Sequence, residues 1–325
     1  MKDITISRRS LLVSAGLLAL APLAGCGGNS GSGSAAAGSD YTVGVLQLTE
    51  HSALDAAYNG FAKAIKKSGL KVKIEKKNAQ NDQSTCKSIA DKFVGDNVNL
   101  IYAIATPAAQ AAGATADIPI VGCAITDYAT SGLVQDNDKP GTNVTGASDL
   151  TPVAEQLEMM QKVLPDVKKV GLLYCTAESN SDVQIKAAKK ELDKLGLEYT
   201  DFTVSSSNEI QSVVESAVGK VDALYSPTDN TIAAGASLVG QICKENKLPF
   251  VTGEEGMCKA GGLFTLSISY EDLGYAAGEM AVKILKGEAK PEDMPIKHLS
   301  SKDLVVVKND EMAEALGIDL SALDE

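Results

Sequence analysis

The sequence predicts an α/β fold with two doubly wound parallel-sheet lobes joined by a three-strand hinge. Apolar runs of strand length alternate with amphipathic stretches of helix length from Thr42 onward, which is typical of parallel sheets. The alternation forms two successive series, and the body that begins at Tyr41 exceeds the ~250 residues at which single cores tend to split. One helix and one strand follow the second series, so we expect the chain to return to the first lobe and then cross back.

Each series is predicted as five strands with their helices. The first has strands at 42–48, 72–79, 100–106, 118–126 and 144–148, with helices at 53–67, 84–95 and 107–116. The second has strands at 167–175, 198–204, 223–226, 250–252 and 262–267, with helices at 152–164, 182–195, 208–218 and 231–246. The remaining helix (271–286) and strand (304–308) complete an N-terminal lobe of 41–147 plus 268–296 and a C-terminal lobe of 148–267 plus 297–325. The predicted crossing points include 146–151 and 267–271.

The first 40 residues have the pattern of an export signal with a lipid anchor. A basic start that includes Arg8 and Arg9 precedes an apolar run that ends at Leu23, and this run is shorter than the ~20 residues of a membrane span. Cleavage before Cys26 would free its thiol to carry lipid. We therefore expect a signal peptide at 1–25, exported by the Sec or the twin-arginine route, and a flexible tether at 26–40.

Charge and cysteine content exclude several classes of function. The formal charge of −12 becomes −14 once the net +2 of Lys2, Asp3, Arg8 and Arg9 is removed with the signal, so nucleic acid is not an expected partner. With Cys26 assigned to lipid, five cysteines remain and cannot all pair. The sequence still allows one disulfide among them. Two histidines and no paired cysteine motif argue against a zinc site, and no cofactor is expected.

Ligands of open parallel sheets bind beyond the carboxyl ends of the strands, so the residues that follow each strand are candidates for binding. Nearly all of them are polar here, and two lobes would bring them to one cleft. Each taken alone is also a candidate for helix capping, for a solvated loop or, for Leu54 and Tyr128, for a core position. The candidates are Glu50, His51, Ser52, Leu54, Gln80, Ser84, Thr106, Pro107, Thr126, Asp127, Tyr128, Asp149, Glu178, Asn180, Asp229, Asn230 and Glu254.

Catalytic motifs are missing from the sequence. It contains no GxSxG, no phosphate-binding Gly-Lys-Ser/Thr, no GxGxxG after a strand and no HExxH. A serine or cysteine nucleophile would need His51 or His298 as its base, and for His51 a hydrogen-bonding role is the stronger hypothesis. The protein is therefore predicted not to be an enzyme.

Six turn motifs resemble those of substrate-binding lipoproteins of tryptophan/tyrosine-type ABC transporters. They span the whole body in order and lie at 49–57, 78–82, 103–111, 144–153, 178–181 and 227–231. The sequence departs from the family pattern at Cys175-Thr176-Ala177, at Asp127-Tyr128 and at 253–256. The resemblance implies a type I periplasmic-binding-protein fold and delivery of an amino acid, often aromatic, to a membrane permease and its ATPase.

On this hypothesis the protein is anchored by lipid on Cys26 to the outer face of the cytoplasmic membrane, and its lobes close over the ligand. Thr106 and Ser84 would bind the ligand carboxylate, and Asp149 and Asp229 its ammonium group. Glu178 and Asn180 would close over the ligand from the second lobe. Tyr128 and Leu54 would flank the ligand side chain. A receptor of the same fold for a nucleoside, sugar or other small polar solute, or a sensor without transport, is the alternative.

Overall fold

A computed structural model describes residues 40–324 of the chain. The predicted signal peptide, Cys26 and all but the last residue of the tether lie outside the described residues. Between residues 40 and 324, no helix combines the length and the apolar character needed to span a membrane.

Strands and helices alternate along the described chain. The strands are β1 (Tyr41–Gln47), β2 (Val72–Asn78), β3 (Leu100–Ile104), β4 (Ile120–Ile125), β5 (Val144–Ser148), β6 (Lys169–Cys175), β7 (Glu198–Val204), β8 (Ala223–Ser226), β9 (Phe250–Thr252), β10 (Phe264–Ile268), β11 (Lys297–His298) and β12 (Leu304–Lys308). The α-helices are α1 (Ser52–Lys67), α2 (Gln83–Gly95), α3 (Thr106–Gly113), α4 (Val153–Val163), α5 (Ser179–Leu195), α6 (Ile210–Ala217), α7 (Asn230–Ala234), α8 (Ala236–Glu245), α9 (Glu255–Ala260), α10 (Tyr270–Leu285) and α11 (Asp310–Leu316).

The first sheet is parallel and has the strand order β11-β5-β4-β3-β1-β2. Its central strands β3 and β4 are buried along their whole length, as expected for apolar strands that are covered on both faces. The edge strand β2 is only partly buried and carries lysines on its exposed positions. This sheet and the helices around it form one hydrophobic core.

The second sheet is parallel, with the order β7-β6-β8-β9. The prediction of a fifth parallel strand at 262–267 was wrong, because β10 pairs antiparallel with β12 in a separate ladder. These two strands carry the chain in opposite directions between the lobes, so their pairing is antiparallel. The helix predicted at 231–246 is also divided, into α7 and α8, at Gly235, where a side chain would overlap Ile210.

Helix α10 returns the chain to the first lobe, because its buried residues Leu273, Ala277 and Ala281 belong to the first core. Strand β11 then pairs with β5 of the first sheet, so residues 297–298 lie beside the N-terminal lobe, whereas the prediction assigned them to the C-terminal lobe. Helix α11 packs into the core of the second lobe through Met312 and Ala313. The chain thus passes between the lobes after β5, after β10 and between β11 and β12, while the remaining lobe boundaries stay predictions.

The five cysteines in the described part of the chain, Cys86, Cys123, Cys175, Cys243 and Cys258, are buried free thiols. Burial raises the pKa of Cys86 to about 11 and that of Cys123 to about 12. They therefore serve as small core residues, and none of them supplies the disulfide that the sequence left open.

Candidate functional site

A narrow cavity of about 10 Å³ lies between the lobes, beyond the carboxyl ends of strands from both sheets. That is about the space of one water molecule and well below the ~300 Å³ of small-molecule pockets. Polar side chains make up most of its wall. The lining residues are His51, Leu54, Ala124, Thr126, Asp149, Asn180, Thr228, Asp229, Asn230, Ala233, Glu254 and Tyr270.

Eight of the seventeen candidate residues line this cavity. They come from turns that are far apart in the sequence, and the parallel topology brings the ends of those strands together. The eight are His51, Leu54, Thr126, Asp149, Asn180, Asp229, Asn230 and Glu254.

Four other candidates, Glu50, Ser52, Gln80 and Ser84, are exposed and do not line the cavity. The Ser84 hydroxyl donates a hydrogen bond of 2.6 Å to Oδ1 of Asp82, the N-cap of α2. That hydroxyl therefore completes a helix cap. Ser52 begins α1 and lies against Gly256 of the second lobe.

Three candidates are buried and do not line the cavity. Thr106 and Pro107 begin α3, and the Thr106 hydroxyl has no hydrogen-bond partner among the described residues. Tyr128 occupies the space left by Gly122 and Gly146, and its hydroxyl donates to the Ala147 carbonyl at 3.1 Å. Its ring therefore packs in the core of the first lobe and does not flank the cavity.

Asp127 and Glu178, the remaining candidates, accept hydrogen bonds from other groups of the protein. Oδ1 of Asp127 accepts from the Thr130 N–H at 2.7 Å, within its own turn. The buried carboxylate of Glu178 accepts hydrogen bonds from Asn180, Asn230 and Thr231. Glu178 thus holds the start of α7 from the neighbouring helix α5, behind the cavity wall.

Four lining residues were not among the candidates: Ala124, Thr228, Ala233 and Tyr270. Thr228 follows β8 and Tyr270 follows β10, so the rule applied to the other strand ends would have found both. The two alanines carry no chemical signal, and only their position in space places them in the wall.

Asp149 lies at the first crossing and points into the cavity from the hinge. Its carboxylate accepts hydrogen bonds from the Tyr270 hydroxyl at 2.9 Å and from the Thr126 hydroxyl at 3.3 Å. Burial raises the pKa of Asp149 to about 6, although these hydrogen bonds oppose the shift. A positive charge in the cavity would therefore be stabilised by Asp149.

Two further carboxylates of the wall also cap helices. Glu254 accepts from the backbone N–H groups of Gly256 and Met257 at the start of α9, and burial raises its pKa to about 7. Asp229 accepts from Ile232 at 2.9 Å and from the Cys175 N–H and the Ser181 hydroxyl at 2.7 Å each. Burial, and then the nearby charge of Glu178, raise the pKa of Asp229. Both carboxylates thus combine a capping role with a place in the cavity.

Direct hydrogen bonds join the lobes around the cavity. Nε2 of His51 lies 3.3 Å from Oδ1 of Asn230, and the Asn81 amide donates to the Thr231 hydroxyl at 3.0 Å. Gln184 of the second lobe donates to the Thr126 hydroxyl at 3.4 Å. The two lobes therefore meet across the cleft.

Titratable side chains in the described region form no group of three or more that could hold a metal ion. The donors of the cavity are instead suited to an organic ligand, because buried carboxylates, amides and hydroxyls lie beside apolar side chains.

Known proteins are similar over nearly the whole body. A family model described as ABC transporter substrate binding protein matches residues 42–322. The Tyrosine-binding protein of Clostridioides difficile (strain R20291) is 40% identical over 324 residues, which cover 96% of this chain and 93% of that protein.

Two solved structures share this fold at similar sequence identity. An ABC domain in complex with L-Trp from Streptococcus pneumonia is 39% identical, with a TM-score of 0.84, and the match covers 88% of this chain and 98% of that one. The ligand-free, open structure of a substrate binding protein with adhesive properties from Clostridium difficile is 44% identical, with a TM-score of 0.65, over 86% of this chain and 95% of that one.

These similarities confirm the family resemblance and the type I periplasmic-binding-protein fold predicted from the turn motifs. The family match, the two parallel-sheet lobes and the polar cavity between them agree with one another. The chain belongs to the family of ABC transporter substrate binding proteins.

Proposed function

We propose that this protein is the lipid-anchored, extracytoplasmic receptor of an ABC importer and that it binds an aromatic amino acid by closing its lobes. It would release the unchanged ligand to a membrane permease powered by a partner ATPase. The observation that carries the proposal is the composition of the cavity wall: three carboxylates and no lysine or arginine among the lining residues. Buried carboxylates need a positive partner, and a ligand ammonium group supplies one.

Asp149 and Asn180 are the best placed partners for the ammonium group. The Asp149 carboxylate has two hydroxyl donors and no cation beside it, and Oδ1 of Asn180 is buried without a hydrogen-bond partner among the described residues. Both atoms are acceptors, and an ammonium group offers three donors. Asp229, by contrast, already accepts three hydrogen bonds, so its role is mainly to hold Ser181 of α5 and the start of α7 in place.

The ligand carboxylate is proposed to bind at the start of α3. The buried Thr106 hydroxyl lacks a partner there, and the first backbone N–H groups of a helix attract an anion. Ser84, the other expected partner, is engaged at the cap of α2 and is exposed. Thr106 is therefore retained in this role and Ser84 is not.

Lobe closure is supported by the two TM-scores. The open, ligand-free relative has the higher sequence identity and the lower TM-score, 0.65 against 0.84 for the complex with L-Trp. Because relatives of similar identity share lobe structure, this difference favours a change in lobe arrangement. The hydrogen bonds between the lobes are in keeping with a closed form.

An aromatic side chain is favoured by the relatives and by the apolar part of the wall. One relative is named for tyrosine and another was solved with L-Trp. Leu54, Ala124 and Ala233 form the apolar part of this cavity and would pack against the ligand side chain.

Isothermal titration calorimetry and thermal shift with the twenty amino acids test this function. A ligand at ~100 times its Kd adds ~2.7 kcal/mol to the free energy of unfolding, which a thermal shift detects. We expect tyrosine or tryptophan to give the largest shift, and Asp149→Asn to weaken binding. Binding of a nucleoside or sugar, and of no amino acid, would overturn the proposal. Recovery of altered ligand after incubation would contradict binding without turnover.

Membrane attachment is tested by fractionating cells that express the full chain. We expect the wild-type protein in the membrane fraction with lipid on Cys26, and Cys26→Ser in the soluble extracytoplasmic fraction. Wild-type protein without lipid on Cys26 would contradict the anchor. A strain that lacks the protein should lose uptake of the ligand, and unchanged uptake would favour the sensor instead.

A further inference from the structure

His51 has one ring nitrogen engaged and one free. Its Nε2 lies 3.3 Å from Oδ1 of Asn230, across the cleft. Its Nδ1 is inaccessible to solvent and has no hydrogen-bond partner among the described residues, although His51 lines the cavity. A buried polar atom without a partner is costly, so a partner is expected in the liganded protein.

The orientation of the Asn230 amide fixes which nitrogen carries the hydrogen. Nδ2 of Asn230 donates to Oε2 of Glu178 at 2.7 Å, so Oδ1 must be the atom that faces His51. A carboxylate can only accept, and the same Glu178 carboxylate also accepts from the backbone N–H groups of Asn230 and Thr231. The amide therefore cannot be reversed without losing the bond to Glu178.

Because the Asn230 oxygen is an acceptor, Nε2 of His51 must donate. Burial lowers the pKa of His51 and so favours the neutral ring. In a neutral ring only one nitrogen carries hydrogen, which leaves Nδ1 as an acceptor. The hydrogen bonds that link Glu178, Asn230 and His51 thus leave Nδ1 of His51 as an acceptor, and not a donor, in the cavity wall.

The surroundings of His51 indicate which part of the ligand it meets. Leu54 lies one helical turn after His51 on α1, and Ala233 lies one turn after Asn230 on α7. These two apolar residues, His51 and Asn230 form a wall contributed by both lobes. Asp149 and Asn180 already supply acceptors for the ammonium group, so the acceptor on this wall is available to the ligand side chain.

We propose that Nδ1 of His51 is a specificity-determining acceptor for a hydrogen-bond donor on the ligand's aromatic ring, a phenolic O–H or an indole N–H. Glu178 and Asn230 are positioning residues that hold the tautomer. This inference rests on the proposed function and adds a rule to it: aromatic amino acids without a ring donor bind poorly. A site built to bond a ligand O–H or N–H rejects the analogue that lacks it, because the site's polar atom is left unpaired.

Calorimetry of the full chain with L-tyrosine, L-tryptophan and L-phenylalanine tests the rule. We expect phenylalanine to bind at least ~10-fold more weakly than the better of the other two. His51→Leu should bring the Kd of that ligand to within a few fold of that of phenylalanine. His298→Leu, which changes the other histidine of the chain, should keep the wild-type preference. Equal binding of all three ligands by the wild type, or a preference that survives in His51→Leu, would overturn the inference.

A second measurement covers the case in which His51→Leu fails to fold or bind. Nitrogen-15 NMR of the imidazole, assigned with His298→Leu, should show hydrogen on Nε2 and none on Nδ1 in the liganded protein. Asn230→Leu removes the acceptor that keeps the hydrogen on Nε2. It should therefore allow the other tautomer and reduce the preference for ligands that carry a donor on the ring. Hydrogen on Nδ1 in the wild-type complex would overturn the inference. Failure of every amino acid to bind the wild type would instead overturn the proposed function.

Discussion

The Tyr270 hydroxyl donates a hydrogen bond of 2.9 Å to Oδ2 of Asp149, and this bond links two of the three crossings between the lobes. Asp149 directly follows β5, and Tyr270 begins α10 after β10. Both residues are buried and both line the cavity. The carboxylate proposed to bind the ammonium group is thus oriented by the hinge itself.

Tyr270→Phe should weaken ligand binding, because Asp149 loses its shortest hydrogen bond while the ring keeps its packing. We expect a ~5- to 150-fold rise in Kd, equivalent to ~1–3 kcal/mol, measured by calorimetry. Tyr102→Phe is the matched control, since that buried hydroxyl donates to the Ala57 carbonyl within the first lobe. An unchanged Kd in Tyr270→Phe would show that the orientation of Asp149 does not matter for binding.

Ligand affinity should fall as the pH falls from 7 to 5. Burial raises the pKa of Asp149 to about 6 and that of Glu254 to about 7 in the ligand-free protein, and a bound ammonium group favours the ionised carboxylates. The complex therefore holds fewer protons than the free protein, so binding releases protons and is favoured at higher pH. Calorimetry in two buffers of different ionisation enthalpy measures the release. Asp149→Asn should reduce it, and a constant Kd across this range would contradict the expectation.

Gly256→Ala should oppose lobe closure. A Cβ at this position of the second lobe would overlap Oγ of Ser52 at the start of α1 in the first lobe. We expect a higher Kd and, at a ligand concentration that saturates the wild type, a larger radius of gyration by X-ray scattering. Gly95→Ala is the control, because no atom lies within 4 Å of the added Cβ.

The double variant Gly256→Ala with Ser52→Ala separates this clash from other effects. Removing Oγ should recover part of the lost affinity, because the next nearest atoms to the new Cβ are the Glu254 carboxylate oxygens at 3.0 and 3.1 Å, within the same lobe. If the two substitutions instead weaken binding additively, the Ser52 hydroxyl contributes to binding independently of residue 256.

Glu178→Gln should destabilise the protein. Its carboxylate accepts from the backbone N–H groups of Asn230 and Thr231 and from three side-chain donors, and a glutamine amide would turn an NH₂ group toward some of them. We expect a loss of about 3 kcal/mol in the free energy of unfolding, measured by urea denaturation. Glu198→Gln, at an exposed position of β7, should stay within about 0.5 kcal/mol of the wild type. If Glu178→Gln also stays within about 0.5 kcal/mol of the wild type, the hydrogen bonds to Glu178 do not stabilise the protein as proposed.

A position directly after a strand predicted many of the residues that line the cavity. It did not distinguish residues of the cavity wall from residues that only cap a helix. Asp149, Glu178 and Glu254 are all carboxylates that follow a strand, and their local sequences do not distinguish them. Glu254 caps α9 and lines the cavity, whereas Glu178 lies behind its wall. The difference depends on which N–H groups reach each carboxylate: those at Glu254 come from the next turn of the chain, whereas those of Asn230 and Thr231 at Glu178 come from a distant segment.

The tyrosines illustrate the same limit. Tyr128 and Tyr270 both follow a strand by a few residues, yet Tyr128 fills the space over Gly122 and Gly146, while Tyr270 reaches Asp149. The glycines that admit the Tyr128 ring lie on β4 and β5, which become neighbours only in the folded sheet.

Hydrophobic periodicity and contiguous turn motifs were enough to predict the alternation of strands and helices, the two parallel-sheet lobes and the family. Three features are visible only in the folded molecule: the antiparallel pairing of β10 with β12, the hydrogen bond between Tyr270 and Asp149 and the contact of Ser52 with Gly256. Each of these joins segments that are separated along the chain, so its geometry depends on how whole elements pack and not on local backbone preference.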